Sequence, residues 1–449
     1  MMAAFYIRAP RRVKKLMAIA SPNTTTSASA PGTGQNYGAA LATVTTLFFM
    51  WGFLTCLNDI LVPHLKSIFD LTYFRVMLIQ FAFFGAYFLF SIPSAKIIDA
   101  IGYKRSMVVG LLTMGLGAFL FVPAASVPSY PLFLGALIVL AAGITCLQVA
   151  ANPYVTVLGK PETASSRLNL TQAFNSLGTF LAPFFGGLFI LTTARKIEEI
   201  RAMAPDALQA FRLHEAATVK MPYVGLGIAL VLLAIAIGSF KLPKIEHAQH
   251  QLGQKVNDSI WKHPNLVFGA IAIFVYVGAE VSIGSFLVNY FSQPDIGGLT
   301  EKVAASFVAF YWGGAMVGRF IGSALLQKVK TGSLLGLCAV CAAALVAVSM
   351  LTTGHIAMYT IILVGFFNSI MFPSIFTLGV AELGPLTGDG SGILIMAIVG
   401  GAIIPVAQGW IADHIGIHHA FFLPVICYIY ILFFALSGSK PNSERYATH

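Results

Sequence analysis

Apolar stretches of about 18 to 25 residues recur along the chain from Leu41 to Leu436, separated by short polar breaks. Each is long enough to cross a hydrocarbon core of about 30 Å as an α-helix. Lipid offers the backbone no hydrogen-bond partner, so a helix, which satisfies its own amides, is the form such a stretch must take. The pattern gives twelve spans, at 41–64, 76–98, 105–125, 131–157, 171–193, 222–240, 264–291, 303–326, 332–353, 356–381, 391–412 and 418–437. Only 10% of the 449 residues are charged, against roughly 25% in an ordinary soluble domain. The expected class is an all-α integral membrane protein.

An even number of spans puts both termini on one side, and lysine and arginine decide which. Placing the tails and even-numbered loops in the cytoplasm collects most of the 27 basic residues there. Five of the remainder fall in one longer external loop, Arg195, Lys196, Arg201, Arg212 and Lys220. The formal charge of +10 is thereby explained by orientation; no aromatic-rich basic domain exists to bind nucleic acid. All five cysteines lie inside spans, which argues against a disulfide framework. Cys338 and Cys341 have metal-ligand spacing but no second pair or nearby histidine, and read as small residues on an apolar helix. No nucleophile with a base and no metal cluster is grouped, so an enzyme is not expected. His414, His418 and His419 read as a polar loop, and neither a metal nor a cofactor is called for.

The charged stretch from Lys241 to Lys262 divides the chain. The expected organisation is a flexible basic tail (1–40), a six-helix bundle (41–240), a linker (241–263), a second six-helix bundle (264–437) and a tail (438–449). Gly and Pro positions suggest that the bundles are repeats. NPYVTVLG in span 4 (Pro153, Val157, Gly159) is matched by FPSIFTLG in span 10 (Pro373, Thr377, Gly379), an offset of 220. Gly178, Pro183 and Gly187 of span 5 are matched by Gly400, Pro405 and Gly409 of span 11, an offset of 222. Asp99 with Gly102 and Asp413 with Gly416 share a spacing that suits tight turns at span ends. Asp99, Lys104, Arg105, Arg319 and Asp413 are the candidate latch between the halves. Two matched bundles with a site at their interface suit alternating access.

An ionisable residue mid-span costs about 2.5 to 3.5 kcal/mol on insertion scales and needs a reason. Asp59 in span 1 has Thr55 and Pro63 one turn away rather than a cation, which suits a carboxyl that gains and loses a proton; the alternative is a structural pair with Arg319 or Lys66. Glu280 in span 7 reads as a second coupling acid, a sugar ligand or half of a pair with Arg319. Gln148 and Asn152 share one face of span 4, and Gln172 and Asn175 one face of span 5. Amides donate and accept at once, which suits a neutral polyhydroxylated ligand; the alternative is interhelical hydrogen bonding. Asn58, Asn289 and Asn368 extend the lining, and Trp51, Tyr87, Tyr311 or Trp312 offer aromatic faces to a sugar ring.

The motifs FFMWGFLTCLNDIL, NPYVTVLG, RLNLTQAFNSLG, YVGAE, FPSIFTLG and GGAIIPV resemble the fucose/galactose/glucose:proton symporter branch of the major facilitator superfamily, over nearly the whole chain. The resemblance implies a twelve-helix sugar importer, expected to be monomeric, in a bacterial inner membrane. Asp59 matches the acid that the family uses for proton coupling, and Gln172 and Asn175 match its sugar-contact region. The fucose-transporting members carry Glu where this chain has Gln148, which moves the expectation toward the glucose/galactose subgroup. The coupling ion is a proton, or sodium as in some relatives. The expected activity is cation-coupled import of a neutral hexose; the rival is export of a small metabolite or drug on the same fold.

Overall fold

A computed structural model describes residues 37–69, 73–127, 129–189, 203–218, 220–243 and 259–441; the side chains it describes exclude those of 55–69, 73–78, 80, 183–189, 212, 215–218 and 301. Most of the expected tails and linker thus lie outside the described residues. Span 1 is Tyr37–Phe69, beginning inside the expected tail, and spans 2 and 3 share one helical run, Tyr73–Ser126. Gly102 breaks that run with φ 81°, a conformation that glycine adopts without steric cost. Span 4 is Tyr130–Val157, span 5 Ala164–Phe189 and span 6 Lys220–Ser239. Spans 7, 8 and 9 are Pro264–Phe291, Glu301–Leu325 and Thr331–Leu351. Span 10 is broken into Gly354–Asn368 and Met371–Gly379. Span 11 runs as Thr387–Met396, a 3-10 turn and Gly400–Ile415. Span 12 continues after Gly416 (φ 84°) from Ile417 to Gly438.

Among the described residues, ten helices are long and apolar enough to cross a membrane, and one of them, Phe81–Ser126, is two spans joined at Gly102. Ala164–Phe189 supplies the twelfth crossing. The region expected as a plain loop contains a helix, Pro205–Thr218. Its polar sequence, PDALQAFRLHEAAT, gave no membrane signal; it packs beside spans 1, 2 and 6.

Lipid gives no hydrophobic drive between helices, so small residues that let backbones approach decide the packing. A Cβ on Gly178 of span 5 would lie 2.2 Å from Phe49 O of span 1, and one on Gly400 of span 11 would lie 2.0 Å from Phe274 O of span 7. The two glycines paired by the sequence repeat therefore make the same type of contact in each half, span 5 on span 1 and span 11 on span 7. The chain ends of spans 4 and 10 are also tied alike. Arg167 donates to Val155 O, Thr156 O and Lys160 O, and Asn265 Nδ2 to Leu378 O, Gly379 O and Ala381 O. Each satisfies carbonyls that a helix C-terminus leaves open.

Lys96, Lys104, Arg105, Lys160, Lys241, Lys328 and Lys330 gather where spans 2, 4, 6 and 8 end, which defines a basic end of the bundle. Near it, spans 5 and 8, 2 and 11, and 4 and 11 pack against one another, bringing the two sets of six spans together.

Candidate transport site

Span 4 presents Gln148 and Asn152, and span 5 presents Gln172, all at most 4% exposed. At about 1.5 Å per residue, Gln148 and Gln172 lie roughly 12 to 14 Å along their helices from the basic end, and Asn152 about 7 Å. Gln172 Nε2 donates to Asn152 Oδ1 at 3.5 Å, and Gln148 Nε2 to Tyr87 Oη at 2.7 Å. Asn152 Nδ2 is buried with no hydrogen-bond partner among the described residues. A buried donor left unpaired costs about 1 to 3 kcal/mol, so this nitrogen is set to hydrogen-bond something that enters. Asn175, the fourth amide, is committed: its Nδ2 donates to Phe48 O at 2.9 Å and ties span 5 to span 1. Trp51 packs at 4.9 Å on Phe48 and is 7% exposed.

In the second half Glu280 is half-buried in span 7. Its Oε1 accepts from Tyr276 Oη at 2.8 Å, and no cation lies within 4.0 Å of it among the described residues. A pair with Arg319, one of the sequence alternatives, is therefore not formed. Arg319 Nε instead donates to Ser369 O at 3.2 Å, and its Nη1 to Ser176 Oγ of span 5. Pro373 explains why that carbonyl is available, since a proline has no N–H for the carbonyl four residues earlier. The same logic applies in span 4. Pro153 leaves Val149 O free, and Ser391 Oγ of span 11 takes it at 2.9 Å.

Residues 39–398 match the family profile described as Major Facilitator Superfamily. The chain belongs to that superfamily. The glucose/galactose transporter of Brucella abortus biovar 1 (strain 9-941) is 55% identical over 406 residues, 90% of this chain and 95% of that one. The L-fucose-proton symporter of Escherichia coli (strain K12) is 35% identical over 417 residues, 91% and 95% of the two chains. A crystal structure of the E. coli fucose:proton symporter superposes with a TM-score of 0.84 at 33% identity, covering 90% of this chain and 100% of that one. A second, of that transporter in the outward conformation, gives 0.83. The proton:xylose symporter, at TM-score 0.64 and 12% identity, shares the fold.

Within this major facilitator fold several sequence expectations need correction. Asn368 does not line a cavity, because it is fully buried with both amide ends engaged: Oδ1 accepts from Tyr428 Oη at 2.8 Å and Nδ2 donates to Tyr311 Oη at 2.9 Å. Asn289 is exposed in the last turn of span 7, at the end opposite the basic one. Tyr311 is fully buried beneath Trp312. Asn58 and Asp59 lie on the helix of span 1, but their side chains are outside the described set. A groove does open along spans 1 and 5, lined by Leu41, Thr45, Phe49, Leu170 and Phe174, and no predicted ligand residue borders it.

The latch also differs from expectation. Lys104 donates to Gly238 O of span 6 at 2.7 Å, within its own half, and Arg105 is exposed. Asp413 is exposed near the opposite end. Among the described residues the ion pair that crosses between halves is made by Lys96, 2.8 Å from Asp389 and 3.7 Å from Asp99; Lys96 was not among the expected latch residues. Exposed pairs of this type contribute only about 0 to 1 kcal/mol. Most of the crossing bonds are neutral. Ser166 Oγ donates to Ser323 O at 2.7 Å and Ser323 Oγ to Ser166 O at 3.0 Å. Ser165 Oγ meets Thr377 Oγ1 at 2.6 Å, and Asn169 Nδ2 donates to Arg319 O at 2.6 Å. Serines in an apolar helix carry no charge signal, so this clasp was not legible beforehand.

Proposed function

We propose that the chain imports a neutral hexose of the glucose/galactose type by symport with a proton, through alternating access between its two bundles. The observation that carries this reading is the buried amide group of Gln148, Asn152 and Gln172, with one donor unpaired. Such groups match sugar hydroxyls, which both donate and accept, and the 55% identity to a glucose/galactose transporter supports the substrate class. Asp59 and Glu280 are the acids assigned to coupling. A carboxyl that carries a proton crosses the dehydrated intermediate at lower cost than a carboxylate. The relatives named as symporters of sugars with protons favour the proton over sodium.

The basic end is assigned to the cytoplasm by the positive-inside rule, which puts both termini there, in the inner membrane of a bacterium. With the halves clasped at that end, the site opens to the outside first. Sugar and proton enter, the clasp separates, and both are released inward. Purified protein in liposomes preloaded with unlabelled hexose is expected to take up labelled glucose or galactose by counterflow, with no requirement for sodium. Absence of counterflow with every hexose of a panel contradicts the substrate assignment. Asp59→Asn is expected to abolish uphill accumulation while retaining part of the exchange; undiminished accumulation contradicts its coupling role.

A further inference from the structure

We propose that Tyr276 is a positioning residue that passes the protonation state of Glu280 to the break in span 10. The inference rests on the proton-symport reading above. Tyr276 Oη lies 2.8 Å from Glu280 Oε1 and 3.1 Å from Asn368 O. A phenol has one proton to donate, so it serves one of these acceptors at a time. When Glu280 is ionised, the charge-assisted bond is the stronger and draws that proton to the carboxylate. When Glu280 has taken a proton from the cleft, its own O–H donates to Tyr276 Oη, and the tyrosine turns its proton to Asn368 O. The only covalent bond made is the carboxyl O–H; reversal returns the proton to the cleft.

The receiving carbonyl is at a hinge. Span 10 is interrupted at Ser369 and Ile370, so the carbonyls of Asn368 and Ser369 fall outside the regular ladder. Arg319 holds the second of them and reaches Ser176 of span 5, next to Asn175 and one turn from Gln172. The Asn368 side chain is pinned by Tyr311 and Tyr428, which keeps its carbonyl facing Tyr276. A proton on Glu280 thus completes a hold on the end of the Gly354–Asn368 piece of span 10, and its loss releases that hold, beside the arginine that joins the two bundles. The titratable or charged side chains facing Glu280 among the described residues are Tyr276 on its own span, Arg319 and Tyr311 from span 8 and Tyr428 from span 12. His355, Asp389, Asp413 and His414 of spans 10 and 11 sit at helix ends.

Infrared difference spectra of the purified full chain between acid and alkaline pH read carboxyl protonation without substrate. The wild type is expected to give a protonated-carboxyl band that is lost in Glu280→Gln. In Tyr276→Phe that band is expected to persist with its titration midpoint displaced by about one pH unit. The pH profile of hexose counterflow is expected to move likewise in Tyr276→Phe, and adding Tyr276→Phe to Glu280→Gln to move it no further. A midpoint left in place by Tyr276→Phe, or effects that add in the double variant, overturns the proposal. Should Tyr276→Phe fail to fold, 13C-labelled asparagine carbonyls in the wild type decide: one amide band shifts as Glu280 titrates, and no shift overturns it. A wild type without counterflow at any pH contradicts the transport reading, and the infrared result still judges the switch.

Discussion

Pro153 and Pro373 each delete one helical hydrogen bond, and the carbonyl each leaves open is used by a neighbouring span, Val149 O by Ser391 and Ser369 O by Arg319. Backbone that a proline frees becomes the attachment point between moving parts. At the same scale, the amides were legible because each is an uncharged polar residue in an apolar run, with its helix face fixed by spacing. Which amides remain available to a ligand was not, since Asn175 and Asn368 are spoken for by Phe48 O, Tyr311 and Tyr428 only once the helices meet. Tyr276 was hidden for another reason: a tyrosine inside an apolar span reads as bulk. Gln148→Ala and Gln172→Ala are each expected to raise the KM for hexose about three- to tenfold, the worth of one neutral hydrogen bond. An unchanged KM in counterflow assays would remove them from the site. Asn289→Ala is expected to leave KM unchanged.

Among the helices, the glycine contacts explain why spans 5 and 11 occupy equivalent places. Gly178 and Gly400 each let a backbone carbonyl approach to a distance that no side chain permits. The repeat in Gly and Pro positions was readable because those residues fix packing more tightly than exchangeable apolar side chains do. Gly178→Val and Gly400→Val are each expected to lower stability by about 1 to 3 kcal/mol through overpacking, measured as a lower thermal midpoint in detergent. Gly135→Val meets nothing within 4 Å and serves as the control that stays near wild type. The helix Pro205–Thr218 and the break in span 10 were not foreseen. The first is too polar to register as a span; the second depends on Arg319 and Tyr276 paying for the carbonyls that the break exposes.

For the whole molecule, the two bundles meet at the basic end through Ser166 and Ser323, Ser165 and Thr377, and Asn169 and Arg319, with Lys96 and Asp389 as the crossing ion pair. Twelve spans and the division into halves were legible in hydropathy and charge, and the orientation proposed here rests on charge alone, whereas the clasp consists of short neutral side chains whose partners are set by tertiary packing. Transport requires this clasp to separate. The Ser166 and Ser323 hydroxyls are 3.4 Å apart, so a Ser166→Cys/Ser323→Cys pair is expected to cross-link on mild oxidation and stop exchange, with recovery on reduction. Exchange that continues at full rate in the cross-linked protein would mean that these contacts do not gate the path. The central claim, that hexose and proton move together, is tested most directly by adding glucose or galactose to proteoliposomes loaded with a pH-sensitive dye, with no gradient imposed. Acidification of the lumen that follows the sugar and is indifferent to sodium is the predicted result; sugar entry without proton movement, or entry that depends on sodium, contradicts the account.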